Sequence, residues 1–137
     1  MIEYRTDLPS TEPVWALFQT TGWYASAPVT PEELILAVSN SWFWIAAYDA
    51  ERLVGFGRIV TDEVLHVMIY DLIVHPDYQM RGIGSRILER LVDQCLSMGI
   101  RDIQLFCARG KRAFYEKRGF AARPDDAPGM QYQREQD

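Results

Sequence analysis

Residues 71–86 read Asp-Leu-Ile-Val-His-Pro-Asp-Tyr-Gln-Met-Arg-Gly-Ile-Gly-Ser-Arg, and their types and spacing suit the holding of an anion. An apolar run, Leu72-Ile73-Val74, stops at His75-Pro76. After a short turn, Gln79-Met80-Arg81-Gly82-Ile83-Gly84 opens a stretch with helical periodicity that continues through Ser85 and Arg86. Glycine lets the backbone approach a ligand closely because no Cβ intervenes. The first N–H groups of a helix have no internal partner and lie at the positive end of its dipole. Successive N–H groups in such a turn form a cradle for phosphate. Arg81 and Arg86 flank the cradle and add positive charge.

The surrounding elements must position this turn. Ile2 to Thr6 alternates and reads as a first strand. Pro9-Ser10-Thr11-Glu12-Pro13 starts a helix with Ser10 or Thr11 as cap and Val14, Leu17 and Phe18 as its apolar stripe, and Gly22 ends it. Thr30-Pro31-Glu32-Glu33 starts a second helix, with Leu34, Ile35 and Val38 facing inward. Phe43–Tyr48 and Leu53–Val60 read as strands joined by Asp49-Ala50-Glu51-Arg52. A long strand follows from Leu65 to Val74. Ile83–Met98 is the main amphipathic helix, ended by Gly99, and Ile103–Cys107 is a fifth strand. Lys111–Arg118 reads as a short helix closed by Gly119, and Gln131-Tyr132-Gln133 as a last strand. This order predicts an α/β domain with a mixed sheet.

The composition narrows the function classes. A chain of 137 residues suits one domain, 1–137, and 48% apolar residues suffice for a packed core. The apolar runs are too short to span a membrane, and Met1-Ile2-Glu3-Tyr4-Arg5 has no signal-peptide core, so a cytoplasmic location is expected. A net charge of −5 argues against nucleic acid as a partner. Cys95 and Cys107 read as small hydrophobes and, with His66 and His75, show no ligand spacing, so no metal is expected.

The turn resembles the acetyl-CoA-binding motif of the GNAT acetyltransferases, Gln/Arg-x-x-Gly-x-Gly/Ala, here Gln79-x-x-Gly82-x-Gly84. A second segment, Phe114-Tyr115-Glu116-Lys117-Arg118-Gly119-Phe120, resembles that family's Phe-Tyr-Glu-Lys-x-Gly-Phe signature. The resemblance covers nearly the whole chain. It implies the GNAT acyl-CoA N-acyltransferase fold, a mixed, mostly antiparallel sheet with a splayed parallel strand pair and flanking helices. It also implies acetyl-CoA as cosubstrate, bound by the backbone of Leu72, Ile73 and Val74 through its pantetheine arm. Residues Gln79 to Arg86 would take its pyrophosphate, with Phe114 alongside. Tyr115 would be the general acid on the CoA sulfur, as a phenol with a pKa near 10. Asp71, beside Tyr70, is the candidate to orient the amine or relay its proton, with Asp62 and Glu63 as further candidates. Many members carry Asn where Ala108 stands, so the resemblance assigns no CoA contact there. Arg109, Lys111 and Arg112 lie near that position, and a solvated basic surface accounts for them equally well.

For the acceptor, Trp23 and Tyr24 follow Gly22 in a loop, where large aromatics are less needed for a core. With Tyr70 and Asp71 they would suit an arylalkylamine, through stacking and cation–π contact. Thr21-Gly22-Trp23, Asn40-Ser41, Leu53-Val54-Gly55, Arg58, Asp62, Asp71, Leu105-Phe106-Cys107-Ala108 and Gly129-Met130 resemble plant-type serotonin (aralkylamine) N-acetyltransferases and similar small bacterial GNAT proteins. Those plant-type members have Gln-Gly-x-Gly where this chain has Gln-Met-Arg-Gly. The leading expectation is acetylation of a small-molecule primary amine. Acetylation of a protein or peptide amine and a CoA-binding regulatory module without turnover are the alternatives. A homodimer is compatible with the family and with the apolar surplus.

Overall fold

Two nearly continuous apolar runs build a hairpin in the middle of the sheet. β2 (Phe43–Asp49) and β3 (Arg52–Thr61) pair antiparallel across the two-residue loop Ala50-Glu51, with Ala50 at φ 52°. A positive φ is what a two-residue hairpin loop requires. β1 (Ile2–Arg5) adds antiparallel to β2, and β4 (His66–Val74) adds antiparallel to β3. β5 (Asp102–Leu105) completes the sheet in the order β1-β2-β3-β4-β5 and runs parallel to β4. The computed structural model describes residues 1–25 and 28–134. These residues gather into two compact units, Met1–Leu105 and Phe106 onward.

In the first unit, three helices flank the sheet. α1 (Thr11–Gln19) buries Val14, Leu17 and Phe18, the expected stripe, and α2 (Pro31–Ser39) buries Leu34 and Val38. Ser10 stands at the N-cap of α1 without a side-chain cap bond. Thr30 instead makes a full capping box with Glu33, each side chain accepting from the other's backbone N–H. Such reciprocal capping is worth about 1 kcal/mol. These two helices cover one face of the sheet around Ala46, Tyr48, Phe56 and Ile73.

α3 (Ile83–Ser97) is the crossover between the parallel strands β4 and β5. Its apolar stripe Ile83, Ile87, Leu88, Leu91 and Cys95 is buried. It lies against Gly55 and Gly57 of β3, where an added Cβ would come within 2.9 Å of Ile87 Cδ1 and of Leu91 Cδ1 respectively. The absence of a Cβ at Gly55 and Gly57 lets the helix settle onto the strand.

Most boundaries fall within a residue of the sequence expectation, and those nearest the site and in the second unit differ for identifiable reasons. β4 begins at His66, not Leu65, because Asp62 Oδ1 accepts the N–H groups of Val64, Leu65 and His66 and holds them in a turn. β5 stops at Leu105, two residues short of Cys107. In the second unit, α4 is only Arg112–Glu116, and Met130–Arg134 carries no strand among the described residues. Alternation at 131–133 gives strand propensity alone, and a strand also needs a ladder partner.

Candidate functional site

The parallel ladder between β4 and β5 runs from His66↔Asp102 to Ile69↔Leu105 and ends there, while β4 continues to Val74. Beyond Ile69, β4 is paired on its β3 side, where Ile73 faces Phe56 and Val74 faces Gly55. The β3–β4 register slips between Phe56 and Arg58, and Asp71 sits in this bulge at φ 56°. A bulge inserts one residue and sharpens the local twist. Leu72 and Val74 are half-buried and Ile73 is 4% exposed, so the side chains pack while the strand keeps one backbone edge beyond the ladder.

That edge leads directly into the glycine turn. Pro76–Tyr78 is one turn of 3-10 helix, steadied by the Asp77 N–H donating to His75 Nδ1 at 3.1 Å. Gln79 Nε2 donates back to the Val74 carbonyl at 3.1 Å, tying the turn to the strand end. Met80 follows at φ 65° with its side chain fully exposed. Gly82 is the N-cap of α3 at φ 81°, and a Cβ there would meet nothing within 4 Å. Space for a ligand therefore lies over the Gly82 backbone. The first turn of α3 contains no acidic residue, and no side chain caps it. The first N–H groups of a helix lie at the positive end of its dipole, which favours an anion there. Arg81 lies 4.9 Å over the Tyr78 ring, and Arg86 reaches Glu89 at 2.6 Å in an exposed pair. An exposed pair of this kind is weak and readily exchanged for a phosphate.

At the bulge, Asp71 is not a solitary carboxylate. Arg58 Nε donates to Asp71 Oδ2 at 2.7 Å, with the two side chains only 16% and 8% exposed. The Tyr24 hydroxyl donates to the other oxygen, Oδ1, over 3.4 Å. Arg58 Nη1 also donates to Ser41 Oγ at 3.0 Å and to the Ala37 carbonyl at 3.4 Å, both at the end of α2. Burial, and then the Asp71 charge, pushes the Tyr24 phenol above its usual pKa. Tyr24 is half-buried and stacks on Phe18, Trp23 is 44% exposed, and Tyr70 is 39% exposed beside Asp71. Asp62 is consumed by its turn, whose backbone N–H groups hold its pKa below the usual range.

In the second unit, Tyr115 packs edge-on between Phe114, at 5.1 Å, and Phe120, at 5.9 Å. Gly119 at φ 94° turns the chain so that the Phe120 N–H reaches the Tyr115 carbonyl at 3.1 Å. Arg118 lies 3.9 Å over the Phe114 ring. Burial, with the nearby Cys107 adding to it, pushes the Tyr115 phenol up to about 12. The expected unperturbed value near 10 is thus corrected upward by desolvation.

Residues 8–120 match the Acetyltransferase (GNAT) family. The chain belongs to this family. Among curated relatives, GCN5-related N-acetyltransferase 1, chloroplastic, of Arabidopsis thaliana is 32% identical over 104 residues, covering 76% of this chain and 53% of that protein. This chain spans about half the length of that relative. Among solved structures, an acetyltransferase of the GNAT family from Streptococcus pneumoniae is 30% identical with a TM-score of 0.83, covering 99% of this chain and 100% of that one. A probable acetyltransferase from meticillin-resistant Staphylococcus aureus is 27% identical with a TM-score of 0.84, covering 98% and 100%.

For a GNAT chain, the sequence-expected residues separate into two groups. Leu72–Val74 and Gln79–Arg86 form one continuous strand-and-turn surface, with Tyr70, Asp71 and Tyr24 clustered at the bulge; Trp23 lies in the same loop as Tyr24. Tyr115 and Phe114 form a second cluster in their own unit. Arg58 and Ser41 received no role from sequence reasoning. The signal was available: one Arg within apolar β3 and one Asp within apolar β4 must compensate each other if both are buried.

Proposed function

We propose that this chain is an N-acetyltransferase that moves the acetyl group of acetyl-CoA to the primary amine of a small molecule of the arylalkylamine class. The observation that carries the reading is the continuity of the β4 edge with the glycine turn. Beyond Ile69 the strand offers backbone donors and acceptors suited to the amides of a pantetheine arm. The turn with Met80 and Gly82 at positive φ and an uncapped helix start suits the pyrophosphate at that arm's end. Family membership supports acetyl-CoA as the cosubstrate.

The chemistry asks little covalent work of the protein. The neutral amine attacks the thioester carbonyl carbon, a C–N bond forms and the C–S bond breaks. The amine nitrogen loses a proton to solvent, and the CoA thiolate takes one up from solvent. Positioning supplies most of the acceleration. Backbone N–H groups of the Leu72–Val74 stretch are suited to polarise the carbonyl as it gains charge. Tyr115, by its motif, serves the leaving sulfur. A phenol at about 12 lies well above a thiol at about 8.5, so it stabilises the thiolate chiefly as a hydrogen-bond donor and stays protonated at neutral pH.

Asp71 orients the amine in this reading, because Arg58 and Tyr24 already occupy both its oxygens. Tyr24, Tyr70 and Trp23 favour an aromatic acceptor. A cytoplasmic location is part of the same proposal. Release of free thiol from acetyl-CoA in the presence of tryptamine or phenethylamine tests it. Turnover with these amines is expected. Acetyl-CoA binding in calorimetry without turnover on any amine or peptide would favour a CoA-binding module instead, and turnover confined to peptide N-termini would redirect the acceptor class.

A further inference from the structure

Asp71 and Arg58 form a nearly buried ion pair at the position that the amine-acetylation reading gives to the acceptor. The guanidinium is held from three sides. Its Nε is bonded to Asp71 Oδ2 at 2.7 Å, and its Nη1 to Ser41 Oγ at 3.0 Å and the Ala37 carbonyl at 3.4 Å. It also lies 5.4 Å over the Tyr70 ring. These contacts reach the β3 residue from the end of α2 and from β4 at its bulge, so the cation has little freedom to leave. The two oxygens of Asp71 are therefore unequal. Oδ2 is committed to Arg58 at 2.7 Å, whereas among the described residues Oδ1 accepts from the Tyr24 hydroxyl over 3.4 Å, a long and weak bond.

Resting on the amine-acetylation reading, we propose that Arg58 is a specificity-determining residue that restricts the acceptor to compounds with a single amine. An incoming amine exchanges with the Tyr24 hydroxyl at Oδ1, the more weakly held oxygen. It meets a carboxylate whose charge is already matched, so the site has no surplus negative charge. A second ammonium on the same molecule then faces the fixed guanidinium in a partly desolvated place, where like charges repel strongly. The chain's net charge of −5 attracts cations in general, and this local pair makes the selection among them.

The test compares kcat/KM for phenethylamine with that for spermidine, under saturating acetyl-CoA, in wild type, Arg58→Gln and Arg58→Lys. Wild type should favour phenethylamine. Arg58→Gln should shift the ratio at least tenfold toward spermidine, with the acetyl-CoA KM within about twofold of wild type, because removing the cation unmasks Asp71. Arg58→Lys keeps the charge and should retain the wild-type preference. Equal losses on both amines in Arg58→Gln would mean a structural role only and would overturn the inference. Should Arg58→Gln not fold, Asp71→Asn carries the test in the opposite direction: an uncompensated guanidinium should lower spermidine turnover more than phenethylamine turnover, and an unchanged ratio overturns the inference. A wild type that binds acetyl-CoA but acetylates neither amine would sink the acceptor reading, and this inference with it. A wild type that turns over both, with ratios indifferent to Arg58, would sink this inference alone.

Discussion

Gly57 and Leu91 meet so closely that a Cβ on Gly57 would lie 2.9 Å from Leu91 Cδ1 and 3.0 Å from Ile87 Cγ2. Gly55 repeats the arrangement one step along the same face, against Ile87 and Ile83. The two glycines set the depth at which α3 rests on β3. Because Gly82 is the N-cap of α3 and β4 ends at Val74, that depth also sets where the anion cradle stands relative to the strand edge. Packing and binding are in this way linked through two missing side chains.

Gly57→Ala should therefore destabilise the fold by about 1–2 kcal/mol, the cost of overpacking a site whose obstructing atoms are the ends of flexible side chains. Equilibrium urea unfolding is the measurement, with a lower midpoint and an unchanged slope expected. Gly55→Ala should behave alike. Stability equal to wild type in both would show that α3 is not held at this depth by the glycines.

Gly82 makes the opposite prediction, because the space over it is open. At φ 81° a side chain pays only the left-handed backbone penalty, roughly 1–2 kcal/mol. Gly82→Val should accordingly melt a few degrees lower yet bind acetyl-CoA at least tenfold more weakly, since the new side chain fills the place of the pyrophosphate. Calorimetric titration alongside a thermal melt separates the two effects. Wild-type affinity in Gly82→Val would remove this turn from the binding site.

Much of this architecture was legible from local patterns. The stripe Ile83, Ile87, Leu88, Leu91 marked α3, and Thr30 with Glu33 marked the start of α2, because periodicity and capping are short-range. The bulge at Asp71 was not legible. Aspartate does not announce a φ of 56°, and the conformation is imposed by the slipped β3–β4 register. Met80 is similar: it takes a positive φ although it is not glycine, so the residue type does not signal the turn's geometry. The Arg58–Asp71 pair depends on the same register, and nothing local connects residues 13 apart in sequence on two apolar strands. The expected strand at 131–133 fails for the converse reason, since its alternation said nothing about a partner.

Tyr115 offers the sharpest test of the proposed chemistry. Tyr115→Phe keeps the edge-on packing against Phe114 and Phe120 and removes only the hydroxyl. Turnover should fall by about 10²-fold when the chemical step limits the rate, with acetyl-CoA affinity little changed. The pH dependence follows from burial, which pushes the phenol up to about 12. The group is protonated in the folded protein at all ordinary pH values, so the wild-type rate should rise with pH as the amine loses its proton and show no falling limb from Tyr115 below about pH 11. The same shift has a stability consequence. The folded pKa is raised above the unfolded value near 10, so the neutral phenol's contribution is fully present below pH 10 and is lost as pH climbs from 10 through 12. Tyr115→Phe should lack that loss, giving a flatter stability curve at the alkaline end. Rate profiles and urea midpoints between pH 7 and 11.5 measure both. A rate in Tyr115→Phe equal to wild type across that range would assign protection of the thiolate to water.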